Sequence, residues 1–164
     1  MISQNISVDE IDKQIINIIQ KDPTITHTDI AKRVDRSQPT IGLRIRKLEE
    51  AGLINFQAGL NLRVADVMIA QVKITTNNPE KILEKSKECP FMLNAFRLSG
   101  EDNIIILIAN STIKHLDQIV NEHFRRDPNV LKVKMDIITD VMKDFVLPLD
   151  INMEDCNCLL GIDM

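Results

Sequence analysis

Apolar positions recur along the first fifty residues with the spacing of helices. Ile11, Ile15, Ile18 and Ile19 repeat at intervals of four, three and one, which predicts a first helix over residues 8–21. Ser7 is placed to cap it, with Glu10 three residues on, and Asp22-Pro23 closes it. Ile30, Ala31 and Val34 form a shorter stripe behind Thr26 and Asp29, a pair spaced as in a capping box. Asp35-Arg36 then turns the chain. Ser37 is the next cap, and Pro39 falls in the first helical turn, where backbone N–H groups have no intrahelical partner. Ile41, Ile45 and Leu48 mark one buried face of the following helix, and Gly52 ends it.

From residue 67 the pattern changes. VMIAQVKITT (67–76) is β-branched and apolar, as a strand should be. Asn78-Pro79 opens a helix predicted over 79–89, with Ile82, Leu83, Ser86 and Cys89 inward, and Cys89-Pro90 stops it. FMLNAFRL (91–98) is a second strand, and IIILIA (104–109) is apolar at every position, as in a strand covered on both faces. A helix capped by Ser111 or Thr112 and running to about Arg126 would turn Ile113, Leu116, Ile119, Val120 and Phe124 inward. Residues 130–141 alternate as a fourth strand. The order β-α-β-β-α-β is that of a ferredoxin-like unit. The fold expected is therefore α+β, in four parts: a three-helix, winged-helix-like helix-turn-helix head over 1–54, a connection over 55–66, the ferredoxin-like domain over 67–147 and a tail over 148–164. The connection reads equally as a linker or as a strand that pairs with a partner subunit.

Charge separates the two halves. Residues 1–60 carry eight basic and eight acidic side chains; residues 61–164 carry twelve and sixteen. Between Lys32 and Lys47 six basic residues face one acid, a local +5 inside a chain of net charge −4. Counterion release depends on the patch that meets the phosphates, so the local figure governs. A helix pair of this kind places its second helix in the major groove of double-stranded DNA. Gln38, Thr40, Leu43 and Arg44 would then reach bases, and Arg44, Arg46 and Lys47 would neutralise phosphates. The alternative for the same residues is an ordinary helix pair with a solvated basic face.

With 44% hydrophobic and 27% charged residues in 164, the chain is globular. Five Phe without Trp or Tyr leave few stacking platforms for single-stranded nucleic acid. Met1–Gln4 is too short and polar for a signal peptide, and the longest apolar run, Ile104–Ala109, is strand-sized, so a cytoplasmic protein with no membrane partner is expected. Three cysteines without a secretion signal argue against a disulfide framework. Cys156 and Cys158 lie one residue apart in the tail. They offer either a metal or redox site shared between two tails or an ordinary acidic tail whose Leu159, Leu160 and Ile162 pack on a neighbour. His27, His115 and His123 have no ligand spacing. No nucleotide-binding glycine loop, nucleophile elbow or HExxH motif is present, so no cofactor and no enzymatic activity are expected.

Several segments resemble, in order, the Lrp/AsnC family of prokaryotic regulators: DEIDKQIINIIQKD its first helix, ITHTDIAKRVDRSQPTIGLRIRKLEEAGLI its helix-turn-helix, and the βαββαβ portion its effector domain. The resemblance spans about residues 7–145 and, with the isoleucine-rich composition, suggests an archaeal source. It implies a transcription regulator that dimerises through the rear domain and assembles into tetramers or octamers. It also implies an amino acid or other small ligand bound between rear domains. By the family pattern DNA contacts fall at Ser37, Gln38, Thr40, Gly42, Leu43, Arg44, Arg46 and Lys47. Gly42 departs from the polar residue more usual there. The family's Gly-x-Tyr-Asp-like effector turn corresponds to Gly100-Glu101-Asp102-Asn103. Asp102 replaces the aromatic, and Asn103 replaces an acid that would pair with an ammonium; the turn is either a ligand site or a polar hairpin. Apolar residues on both faces of several strands point the same way as the family: a second copy is the cheapest cover. Two other readings fit the architecture. One is a subunit of the sirohaem-decarboxylase kind, disfavoured by the intact basic helix. The other is a chromatin-like protein binding DNA with little sequence preference.

Overall fold

The computed structural model describes residues 7–149. They form two compact units that divide between Gln57 and Ala58.

The first unit is all helix: α1 (Glu10–Lys21), α2 (His27–Arg33) and α3 (Gln38–Glu50). The cap of α1 is Asp9, not Ser7. Its carboxylate accepts the Asp12 N–H at 2.8 Å, and the Asp12 carboxylate accepts the Asp9 N–H at 3.1 Å. A carboxylate at the cap satisfies an orphan donor and meets the positive end of the helix dipole. Thr26 and Ser37 cap α2 and α3 as expected. Asp35 carries the turn between them with φ 51°, a left-handed conformation that Asp tolerates better than most residues. At the end of α3 the Gly52 N–H bonds the Glu49 carbonyl at 2.8 Å and the Leu53 N–H bonds that of Leu48 at 2.9 Å. This Schellman pair needs the positive φ of Gly52, 67°. Ile15, Ile19, Ile30, Ala31, Val34, Ile41 and Ile45 make the core, and Leu48 is buried as the spacing predicts.

The second unit contains β1 (Leu60–Asn61), β2 (Met68–Thr76), α4 (Pro79–Lys85), β3 (Met92–Arg97), β4 (Ile104–Asn110), α5 (Ile113–Val120), β5 (Val130–Ile138) and β6 (Val146–Leu147). Its main sheet is antiparallel in the order β3-β4-β2-β5, the ferredoxin-like arrangement. Ala70, Val72 and Ile74 stand beside Ile108, Ile106 and Ile104 in register. Together they bury against Ile82, Phe91, Leu116, Ile119, Val120 and Phe124.

Five expectations change here. The connecting strand pairs within its own chain: β1 runs antiparallel to β6, with Leu60 opposite Leu147. This ribbon covers one end of the sheet's other face, where Leu62, Ile69 and Ala109 are buried. The helix predicted over 79–89 is regular only to Lys85, because the Ser86 hydroxyl bonds the Leu83 carbonyl at 2.7 Å and single turns carry the chain to the buried Cys89. The helix predicted to Arg126 becomes a π-helical turn at Asn121–Arg125, where the Lys85 ammonium takes up the His123 carbonyl at 3.2 Å. Ile113 is 53% exposed rather than inward, since the first turn of α5 begins three residues past β4, at the rim of the layer. The fourth strand also ends at Ile138, short of 141.

Candidate nucleic-acid interface

Helix α3 is held by one apolar row and presents the rest. Opposite Ile41, Ile45 and Leu48 stands Leu43, 67% exposed, with Arg46 and Lys47 exposed on either side of it, Gln38 exposed in the first turn, and Thr40 and Gly42 half-buried at the flanks. The Ser37 hydroxyl accepts the Thr40 N–H at 3.4 Å and lies 2.8 Å from the Thr40 hydroxyl.

Arg44 is placed differently from its neighbours. Its Nη1 donates to Asp9 Oδ2 and to Asp12 Oδ1, both at 2.7 Å. Only 30% of the Arg44 side chain is exposed, and Asp12 is buried. The guanidinium is held above its ordinary pKa by the hydrogen bonds it donates to Asp12 and Asp9. Asp9 is held below the usual carboxylate range, first by the Asp12 N–H and then by Arg44. So the residues that cap α1 also clasp α3. A groove of about 420 Å³ runs beside this clasp, lined by Ser7, Asp9, Asp12, Thr40, Leu43, Arg44 and Lys47. Asp9 and Asp12 were absent from the expected site. The signal for them was an acidic pair at a spacing of three, beside a competing pair, Ser7 and Glu10, at the same spacing.

The four residues of the candidate effector turn lie together, and two are committed to β2. Asn103 Oδ1 accepts the Thr76 N–H at 3.1 Å while its Nδ2 donates to the Thr76 carbonyl at 2.8 Å, so its amide continues the strand ladder. Asp102 Oδ1 accepts the Thr75 hydroxyl at 3.0 Å. Gly100 is exposed, and Glu101 is exposed 3.9 Å from Lys132. Cys156 and Cys158 lie outside the described residues.

Comparisons with known proteins follow the same division. The winged helix-turn-helix DNA-binding family matches residues 8–55, and the Lrp/AsnC ligand binding domain matches residues 67–147. A transcriptional regulator LrpA of Pyrococcus horikoshii is 29% identical over 140 residues, 83% of this chain and 99% of its own. An uncharacterized HTH-type transcriptional regulator of Pyrococcus abyssi is 30% identical over 145 residues, 84% of this chain and 95% of its own. Among solved structures, a transcriptional regulator of Neisseria meningitidis in complex with L-methionine superposes with a TM-score of 0.69 at 18% identity, covering 89% of this chain and 98% of that one.

Proposed function

The chain belongs to the Lrp/AsnC family of helix-turn-helix transcriptional regulators, and from that premise we propose that α3 is its recognition helix. Ser37, Gln38, Thr40, Leu43, Arg46 and Lys47 line the DNA, Gly42 flanks that face on the α2 side, and Arg44 orients the helix through its tie to α1. One observation carries this reading: the single arginine of α3 that is drawn inward is tied to α1, while Arg46 and Lys47 stand exposed in a segment of net charge +5. A clasp of this kind fixes the angle at which α3 meets a groove, and the exposed cations supply the phosphate contacts.

The rear domain assembles the protein. The face of its sheet away from the helices leaves Phe96, Ile105 and Leu107 only partly covered, a surface suited to a second copy and, through further faces, to tetramers or octamers. Two heads then read two half-sites. The effector is an amino acid, as the Neisseria structure holds L-methionine. Glu101 and Asp102 supply the charge for its ammonium that Asn103 lacks. A DNA partner places the protein in the cytoplasm; among the described residues no helix is long and apolar enough to cross a membrane.

The test is binding to the DNA upstream of its own gene and to random duplex, with Arg46→Ala and Arg44→Ala beside wild type. Wild type should prefer the upstream DNA. Arg46→Ala should weaken both duplexes and lower the salt slope by about one, with melting unchanged. Arg44→Ala should lower the melting temperature of the head, since it leaves the buried Asp12 without its cation. Binding of neither duplex by wild type would remove the regulator reading.

A further inference from the structure

Recognition helices select sequence in the major groove by two kinds of contact. Polar side chains pair with donors and acceptors on base edges, and apolar ones meet the C5-methyl of thymine. In α3 the balance is tilted to the second kind. At about 100° per residue, the direction opposite Ile41, Ile45 and Leu48 falls between Leu43 and Glu50, the last residue of α3, with Arg46 to one side and Lys47 to the other. The arginine next to Leu43, whose fork could otherwise pair with a guanine, is held by Asp9 and Asp12 at 2.7 Å each. The Thr40 hydroxyl is engaged with Ser37. Gly42 offers no side chain. In the middle of the helix the most forward group is therefore an isobutyl group, 67% exposed, beside Arg46 and Lys47, with the exposed polar Gln38 confined to the first turn and Glu50 to the last.

Leu43 takes no part in the core of the head, whose members are at most 8% exposed. The cations beside it fit a polyanion, and the apolar group that a DNA major groove offers is the thymine methyl. We propose that Leu43 reads thymine: on binding, its side chain packs on the C5-methyl of one thymine in each half-site, so that the preferred sequence is set at that position by apolar contact rather than by a hydrogen bond. The proposal rests on α3 being the recognition helix and adds the chemistry that it selects.

The experiment selects binding sites from randomised duplex with the full chain. Each thymine of the selected site is then replaced in turn by deoxyuridine, which keeps base pairing and removes only the methyl. Dissociation constants are measured for wild type and Leu43→Ala. One thymine per half-site should be sensitive in wild type, with a loss of about fourfold, the equivalent of ~0.8 kcal/mol for one buried methyl, and about fifteenfold when both half-sites are changed. In Leu43→Ala that sensitivity should vanish while the salt slope stays the same, because no phosphate contact is lost. Leu43 is exposed, so the variant should melt with wild type. Selective DNA binding by wild type with no deoxyuridine effect, or with the same effect in Leu43→Ala, overturns the thymine contact and leaves the regulator standing. Failure of wild type to select any duplex overturns both.

Discussion

Leu43 on the head and Phe96 on the rear sheet are both large apolar side chains left in water, 67% and 45% exposed, and their surroundings differ. Leu43 is isolated among exposed cations. Phe96 sits in register with Ile105 on β4, and Ile105 is followed on the same face by Leu107 and the buried Ala109. Two of the cations near that strip have carboxylates beside them: Lys73 bonds Asp136 at 3.0 Å, and Lys132 lies 3.9 Å from Glu101. A lone apolar group in a basic field suits a polyanion with scattered methyls. A continuous apolar strip suits another protein surface. On the function proposed above, the head would take the DNA and the rear sheet a second copy.

The largest effect should come from charging the sheet. Leu107 lies opposite Gln71 on one side and Asn94 on the other, so a carboxylate there would find no cation in register. Leu107→Asp should raise the dimer dissociation constant at least a hundredfold, roughly 3 kcal/mol, because the new charge must be desolvated unpaired. Light scattering at micromolar concentration reads the result, and a Leu107→Asp protein that remained dimeric would place the interface elsewhere. The head should keep its fold and its basic face.

Acid separates the two units further. Asp127, 6% exposed, accepts from Lys85 Nζ at 2.6 Å, Asn129 Nδ2 at 2.8 Å and the Asn129 N–H at 3.0 Å, with Lys81 Nζ also at 3.0 Å. Lys85 first and the Asn129 N–H next hold its carboxyl well below the ordinary value of 3.8. The folded pKa is lower than the unfolded one, so this stabilisation is complete above the unfolded value and is lost as pH falls through the region below about 4. The melting temperature of the rear unit should drop between pH 5 and pH 3. Asp127→Asn should lower it at pH 7 and flatten that drop; an unchanged slope would assign the acid response to other carboxylates.

Much of this architecture is local in origin and was therefore legible in sequence. The row Ile41, Ile45, Leu48, the caps at Thr26 and Ser37, and the stops at Gly52 and Pro90 each depend on residues within a few positions. What could not be read came from distant partners. Ser7 with Glu10 and Asp9 with Asp12 are equivalent as patterns. Arg44, 32 residues beyond Asp12, makes the second pair the one that matters. Sequence shows the charge of Arg44 and its helix but not its anchor on Asp9 and Asp12. Lys85 reaches the His123 carbonyl from 38 residues away and opens the π turn. Leu60 pairs with Leu147 across the whole length of the domain, beyond the reach of any local pattern.

The smallest expected effect concerns Gly42, the position where α3 departs from a good helix former. A Cβ built there would meet His27 Nδ1 at 3.5 Å and Cε1 at 3.9 Å, ordinary van der Waals contacts. Its φ is not in the left-handed region, so an Ala fits without strain. Gly→Ala inside a helix restricts the unfolded chain and is worth about 1 kcal/mol. Gly42→Ala should therefore raise the melting temperature of the head by a few degrees. Gly42 flanks the forward face that Leu43 occupies and points toward α2, so DNA affinity should change by less than about twofold if the apex is what touches bases. A large loss of affinity in a more stable Gly42→Ala head would mean that the backbone at Gly42 approaches the DNA closely, and the line of contact would shift from Leu43 toward the α2 side of the helix.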